Sequence, residues 1–304
     1  MSESNPSADI KFGPEVEALL KSNSGVSVAD YDTVLIVAHL VKIQLVHVIS
    51  KCGHFCDIRK GKNLELEDIL FLLVKDELKF PRIVKHLIFK DKQAKLKVPS
   101  NFSVGDASDL GNPAETSGFA SPASSGNQSN NSNRVNCIKR FLDTFQIPQN
   151  IRAACFSTQL DAVKKIRLQR EERLSSCMSA AQYVQWNQSK VPVHAQFRSK
   201  VKIFSEKRLK EQDANKGKDT PSKIHPHAME AILFLSTDLV AEVVDEIFLQ
   251  RERRNGSLVS QIASPENEKS ANWLTTPLEQ HEAQTVLNKL SSKFSEKSQT
   301  VVLI

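Results

Sequence analysis

The sequence predicts an all-α protein built from two matching helical halves at its ends, joined by a softer middle. Three observations predict it. Apolar residues recur at steps of three and four through nearly every ordered stretch. Two of these stretches run for about thirty residues, far beyond strand lengths, and each is flanked by shorter ones. Glycine is scarce, 10 in 304 residues with 2 Tyr and 2 Trp, which argues against propellers, stacked hairpins and Gly-rich phosphate loops. With 40% apolar and 25% charged residues, the chain has globular composition and the length to bury a sizeable core.

Residues 1–13 read as a flexible N-terminus and 14–98 as the first half. Phe12 to Lys21 is expected as a short helix opening at Pro14 and closed by Asn23, Ser24 and Gly25. The long helix follows, from Tyr31 to about Lys60. Val34, Val37, Val41, Leu45, Val48, Cys52 and Phe55 form one face, and Ile36, Leu40, Ile43 and His47 a second stripe beside it. A helix apolar on two sides is expected to be sandwiched between neighbours. Asp30 can cap its start and Gly61 stop it. Its many Val and Ile residues are weak helix formers, so tertiary packing must hold it. Glu65 to about Lys75 forms the next helix (Leu66, Ile69, Leu70, Leu73), then Arg82 to Phe89 with Pro81 in its first turn.

Residues 99–134 are rich in Ser, Asn and Pro, too polar to offset the entropy of ordering, and read as a disordered linker. Residues 135–190 form a helical middle segment, and 191–294 the second half. There Ala195 to about Phe204 makes a short helix, and 205–225 a basic polar loop. Pro226 opens a second long helix reaching Arg254, with Met229, Ile232, Leu233, Leu239, Val240, Val243, Val244, Ile247 and Phe248 apolar, stopped by Asn255-Gly256. Thr276-Pro277-Leu278-Glu279 has the residues of a capping box, starting a last helix through Val286, Leu287 and Leu290. Residues 295–304 read as a flexible tail.

Short helix, long helix, short helix is the histone-fold arrangement, and here it occurs twice. One such unit cannot bury both stripes of its long helix and needs a second packed head to tail. Two units on one tether can pair with each other at an effective concentration in the millimolar range, of order ~1 mM. The core of that pair would be Val37, Val41, Leu45, Val48, Ile69, Leu70 and Leu73 from the first half, and Ile232, Leu239, Val243, Ile247 and Leu287 from the second. A generic bundle of two long helices fits the same periodicity, and pairing between two chains fits the same tether.

The polar start, Met1 to Ser7, lacks the basic and apolar regions of a secretory signal. With no stretch of about 18 apolar residues, no membrane span is expected. Five cysteines without a disulfide spacing point to a reducing compartment. No nucleophile elbow, P-loop, dinucleotide fingerprint or zinc-protease motif is present, so neither an enzyme nor a cofactor is expected. Cys52-Gly-His-Phe-Cys56, with His47 nearby, has the atoms of a metal site but no second ligand pair, and Cys52 fits the apolar stripe; the core reading is preferred. His225-Pro-His227 reads as a helix start.

The net charge is +6 and the pI about 9.0. Residues 190–223 hold ten Lys or Arg against four Asp or Glu, a local excess equal to that of the whole chain. Either a nucleic-acid contact or a solvated linker accounts for it. Lys60, Lys62, Arg253 and Arg254 flank loops that could meet phosphates. On the second long helix Asp238, Glu242 and Asp245, with Glu246 adjacent, recur at helical spacing and form an acidic face, a candidate partner contact. Arg167 to Arg173, with Ile166, Leu168 and Leu174 interleaved, reads as a docking helix or a solvated linker helix.

Asp68-Ile-Leu-Phe-Leu-Leu-Val-Lys-Asp76 and Arg82-Ile-Val-Lys-His-Leu-Ile-Phe-Lys-Asp91 resemble the N-terminal histone fold of the Spt-three family, the TBP-regulating subunit of the SAGA transcription coactivator. Arg167-Leu-Gln-Arg-Glu-Glu-Arg173 through Met178-Ser-Ala-Ala-Gln-Tyr-Val-Gln-Trp186 resembles its middle segment, a charged helix leading into a Ser-Ala-Gln-Tyr motif. His225 to Arg254 is similar to the long helix of its C-terminal histone fold. The resemblance implies an intramolecular histone-fold pair, a nuclear and non-enzymatic role in transcription initiation by RNA polymerase II, and TBP and other SAGA-like subunits as partners. It implies no small-molecule substrate and only indirect or weak DNA contact. The acidic face of Asp238, Glu242, Asp245 and Glu246 would then meet TBP. A TFIID-like histone-fold subunit, or a DNA-binding histone-fold protein, is the alternative.

Overall fold

In the computed structural model the described residues are 11–26, 30–96, 132–189, 193–217, 223–255 and 276–299. Helix α1 (Gly13–Ser24) carries Pro14 in its first turn and ends at Gly25, whose left-handed φ of 70° lets its N–H reach the Lys21 carbonyl. Helix α2 (Tyr31–Ile58) starts where the Asp30 carboxylate accepts the Asp32 N–H at 3.3 Å. Strand β1 (Asn63–Leu64) and helix α3 (Leu66–Leu73) follow, then α4 (Lys79–Leu96), α5 (Ser132–Thr144) and α6 (Gln149–Phe156). Helix α7 (Ala162–Cys177) is capped by Asp161, and α8 (Ala180–Ser189), α9 (Val193–Asn215), β2 (Lys223–Ile224), α10 (Pro226–Asn255) and α11 (Gln280–Gln299) complete the order.

The chain divides into two units, 1–72 with 158–304, and 73–157. In the first, the two halves exchange helices. Helix α1 packs on α10, α9 packs on α2, α11 packs on α2, and α2 and α10 pack on each other. The loop after α2 meets the loop before α10 as a two-stranded parallel ladder, Asn63 opposite Lys223 and Leu64 opposite Ile224. The His225 N–H extends it to the Leu64 carbonyl at 2.9 Å. This head-to-tail pairing buries the first apolar stripe of α2 from Val34 to Cys52 and leaves most of the second open. Val37, Val41, Leu45, Val48, Ile69, Leu70, Ile232, Leu239, Val243 and Ile247 are all buried; Leu73, expected in the same core, is buried but opens the second unit. Helix α10 is covered almost all round; its exposed described side chains are Pro226, Leu249, Arg253 and Arg254.

The second unit is a smaller helical cluster in which α4 packs on α5 and α6. Asp76 caps α4 by accepting the Lys79 N–H at 3.0 Å. Phe80, Ile83, Val84, Leu87, Ile138 and Phe141 are buried, with Phe80 and Phe141 rings 6.1 Å apart. Buried Asp91 is neutralised by Arg134 at 3.2 Å.

Several expectations change. The middle segment 135–190 is divided between the units, its first part lying with α4 and its remainder with the long helices. Leu287 is only half-buried, and Val286 is the core residue of that turn. Of the second stripe on α2 only Leu40 is fully buried; Ile43 is exposed and Ile36 and His47 are half-buried, because α9, α10 and α11 leave one side open. Lys60 rather than Gly61 takes the left-handed position after α2, with φ 55°. Helix α11 begins at Gln280, so Thr276 to Glu279 lead into it and do not form its first turn. Helix α9 runs through Asn215, where a polar loop was expected from 205, and α11 continues through 295–299. Residues 1–10, the bulk of the 99–134 linker (97–131), 218–222, Gly256 and 300–304 lie outside the described residues. Helix α2 is long and apolar enough to cross a membrane by composition, but more than half of its apolar window is buried in the fold.

Candidate protein-docking interface

The acidic residues of α10 do not stand open. Arg167 of α7 donates through Nη1 to Asp238 at 3.1 Å and through Nε to Asp245 at 2.7 Å. Arg170, one turn on, meets the other Asp245 oxygen at 2.7 Å. Burial draws the Arg167 guanidinium down, but the hydrogen bonds and charges of Asp245 and Asp238 more than offset it and hold it above its ordinary range. Asp238 is 6% exposed. Glu246 is paired with Lys289 of α11, and Glu242 is half-buried. The sequence-expected contact face of Asp238, Glu242, Asp245 and Glu246 is therefore largely filled from within, chiefly by α7. Periodicity placed these carboxylates on one face; it had no means to show what lies across from them.

Phe248 extends this edge. The Arg170 guanidinium lies 4.9 Å from its ring centre and that of Arg251 5.7 Å, so the ring sits between two cations. Arg251 belongs to a separate lock. Its Nε and Nη2 donate to the two Glu282 oxygens at 2.6 Å each, and it also donates to the carbonyls of Thr276 and Pro277. Glu282 additionally accepts the Glu279 N–H at 3.1 Å, which makes Glu279 the working start of α11. The first half has the counterpart: Arg59, just past α2, forks onto Asp68 at 3.2 and 2.9 Å and donates to the Asn63 carbonyl at 3.0 Å. In each half an arginine at the end of the long helix thus ties down the loop and the next helix. An Arg late in a long helix followed by an acid early in the next was the available signal.

The middle segment seats α7 through its far end. Ser179 and Gln182 cap α8 reciprocally, the Ser179 N–H to Gln182 Oε1 at 2.9 Å and the Gln182 N–H to Ser179 Oγ at 3.4 Å. The Ser-Ala-Ala-Gln stretch is physically a capping box. Trp186 on α8 is buried and its Nε1–H donates to the Ser22 carbonyl at 3.1 Å. Trp186, Leu174 and Met178 crowd Gly25, where a Cβ would lie 3.0–3.4 Å from them.

Within the basic stretch, helix α9 pairs several of its cations with acids. On α9, Lys200 meets buried Glu15 at 2.6 Å, Arg198 meets buried Glu230 at 2.7 Å, and Arg208 meets Glu211 at 3.0 Å. Just beyond α9, Lys216 reaches Asp57. Lys60 and Lys62 lie beside the start of α10 and Arg253 and Arg254 at its far end, about 40 Å along the helix. The structure does not gather them into one patch.

Cys52 and Cys56 are buried, and their thiols point at main-chain carbonyls: Cys52 at Asp68, Cys56 at Gly61 and Asn63. Burial, then the Asp68 and Cys56 charges, raise the Cys52 thiol well above its usual range, so it stays protonated. Among the described residues no group of three or more His, Cys, Asp or Glu is placed to hold a metal. The His225 and His227 rings meet edge to face with centres 4.7 Å apart, and His225 Nδ1 lies 3.7 Å from Glu65.

Residues 10–100 match the family model of the 18 kD subunit of transcription initiation factor IID, a stretch holding α1 through α4. No curated protein matches the chain.

Proposed function

We propose that this chain is a non-enzymatic, nuclear subunit of a SAGA-like transcription coactivator, a self-paired histone-fold scaffold that binds or delivers TBP. The observation that carries the reading is the exchange of helices between two halves of one chain, each tied by its own arginine–carboxylate lock. The family match supports a transcription-related histone-fold subunit for the first half. The twin locks and the parallel β1–β2 ladder support a second histone fold made of α9, α10 and α11. A chain that supplies both members of the pair needs no separate partner to fold, which leaves its outer surfaces for other subunits.

The match to a TFIID subunit favours a second reading, membership of a TFIID-like complex. The test is purification of the tagged full chain from nuclei with identification of its companions, beside direct binding of the purified chain to TBP. SAGA-type companions and measurable TBP affinity support the proposal. TFIID companions select the second reading, and steep salt-dependent binding to random duplex without TBP affinity refutes both.

A further inference from the structure

We propose that the edge of α10 formed by Asp238, Asp245 and Phe248 is a docking site for a helix presenting two arginines one turn apart, and that α7 is its exchangeable resident. The resident shows what the site accepts. Arg167 and Arg170 are spaced i, i+3, and between them they engage both carboxylates and the face of the Phe248 ring. Helix α7 carries five Lys or Arg against two Glu, which suits an acidic edge.

Helix α7 is seated in an unusual way. An amphipathic helix normally turns its apolar face inward. Here Ile166 is 59% and Leu168 44% exposed, while the buried residues are Arg170 and Leu174. Ion pairs rather than apolar area hold this part of α7 down, and a partly buried ion pair recovers little beyond its desolvation cost. Helix α8 keeps an anchorage of its own through Trp186 on Ser22, so it can stay when α7 leaves and gives up the contact of Leu174 beside Gly25. The occupant that exchanges with it is an arginine-bearing helix of a basic partner protein. For that partner's identity alone the inference rests on the TBP reading.

The experiment uses the full chain and a fluorescein-labelled peptide copying residues 160–177. In the wild type the internal helix competes at roughly millimolar effective concentration, so the peptide should bind the Arg167→Gln/Arg170→Gln variant about tenfold more tightly than the wild type. Adding Asp238→Asn and Asp245→Asn should abolish that gain. Equal binding to wild type and variant, no binding to the variant, or binding that survives the Asn substitutions overturns the proposal. Amide protection of Tyr31–Ile58 and Pro226–Asn255 should stay intact while that of Ala162–Cys177 falls. If the Gln variant loses protection throughout, Arg167→Lys/Arg170→Lys carries the test, keeping charge while losing the fork; global unfolding of both overturns exchangeability. A gain of TBP affinity in the loosened variant assigns TBP to the edge. Peptide exchange without it leaves the docking site standing and removes TBP as its occupant.

Discussion

Arg251 grips Glu282 with two parallel hydrogen bonds of 2.6 Å, across 31 residues of sequence. Both side chains are almost fully buried, at 6% and 5% exposure. Arg59 and Asp68 repeat the arrangement nine residues apart, but there the arginine is 42% exposed. The same device therefore sits in two dielectric settings.

That difference has a measurable consequence. Glu282→Ala leaves a buried guanidinium without its counter-charge and should cost about 3–5 kcal/mol. Asp68→Ala leaves Arg59 able to turn to water and should cost less, about 1–3 kcal/mol, chiefly through lost hydrogen bonds. Urea unfolding of the full chain compares them; equal losses would contradict the burial difference.

Core rank along α11 should follow burial, not side-chain size. Val286→Ala is expected to cost about 1–2 kcal/mol and Leu287→Ala less, although leucine is larger. Leu45→Ala on α2 should cost about 2–5 kcal/mol, since Leu45 is fully enclosed. Denaturant midpoints of the three variants give the order directly.

Stability should fall on mild acidification through His47. Burial, then the Lys51 charge, hold its imidazole below the ordinary 6.5. The unfolded chain then binds the proton more readily, so this contribution is present above pH 6.5 and is lost as pH falls through the lower folded value. His47→Gln should flatten the dependence in that window. Unfolding curves at several pH values would show it, and an unchanged slope in the variant would assign the effect elsewhere.

The cysteines should separate by reactivity. Cys177 is exposed, whereas Cys52, Cys56 and Cys155 are buried. Burial pushes the Cys155 thiol up to about 11, against a smaller opposing effect of Lys85. Alkylation of the native chain near neutral pH, read by mass spectrometry, should mark Cys177 first, half-buried Cys137 next, and Cys52, Cys56 and Cys155 only on unfolding. Early labelling of Cys52 or Cys56 would contradict their closed seats beneath the loop after α2.

The sequence by itself determined the helical class, the two long helices, the Asp30 cap, the Pro226 start and the buried apolar face of α2. These are local properties. An apolar step of three or four and a cap are each complete within a few residues, and the chain satisfies them wherever it folds. Tertiary structure alone decided where charges meet. Residues 205–215 read as part of a loop because the stretch is polar, Lys-rich and runs on to Gly217 and Pro221, yet α9 stays helical there with Leu209 buried and Gln212 reaching the Ser50 carbonyl 162 residues away. Asp238 and Asp245 announced an acidic face, but only the fold set Arg167 against them, 71 and 78 residues distant in sequence. An ion pair between distant segments leaves no periodic trace in either one, because its energy exists only once both helices are in place.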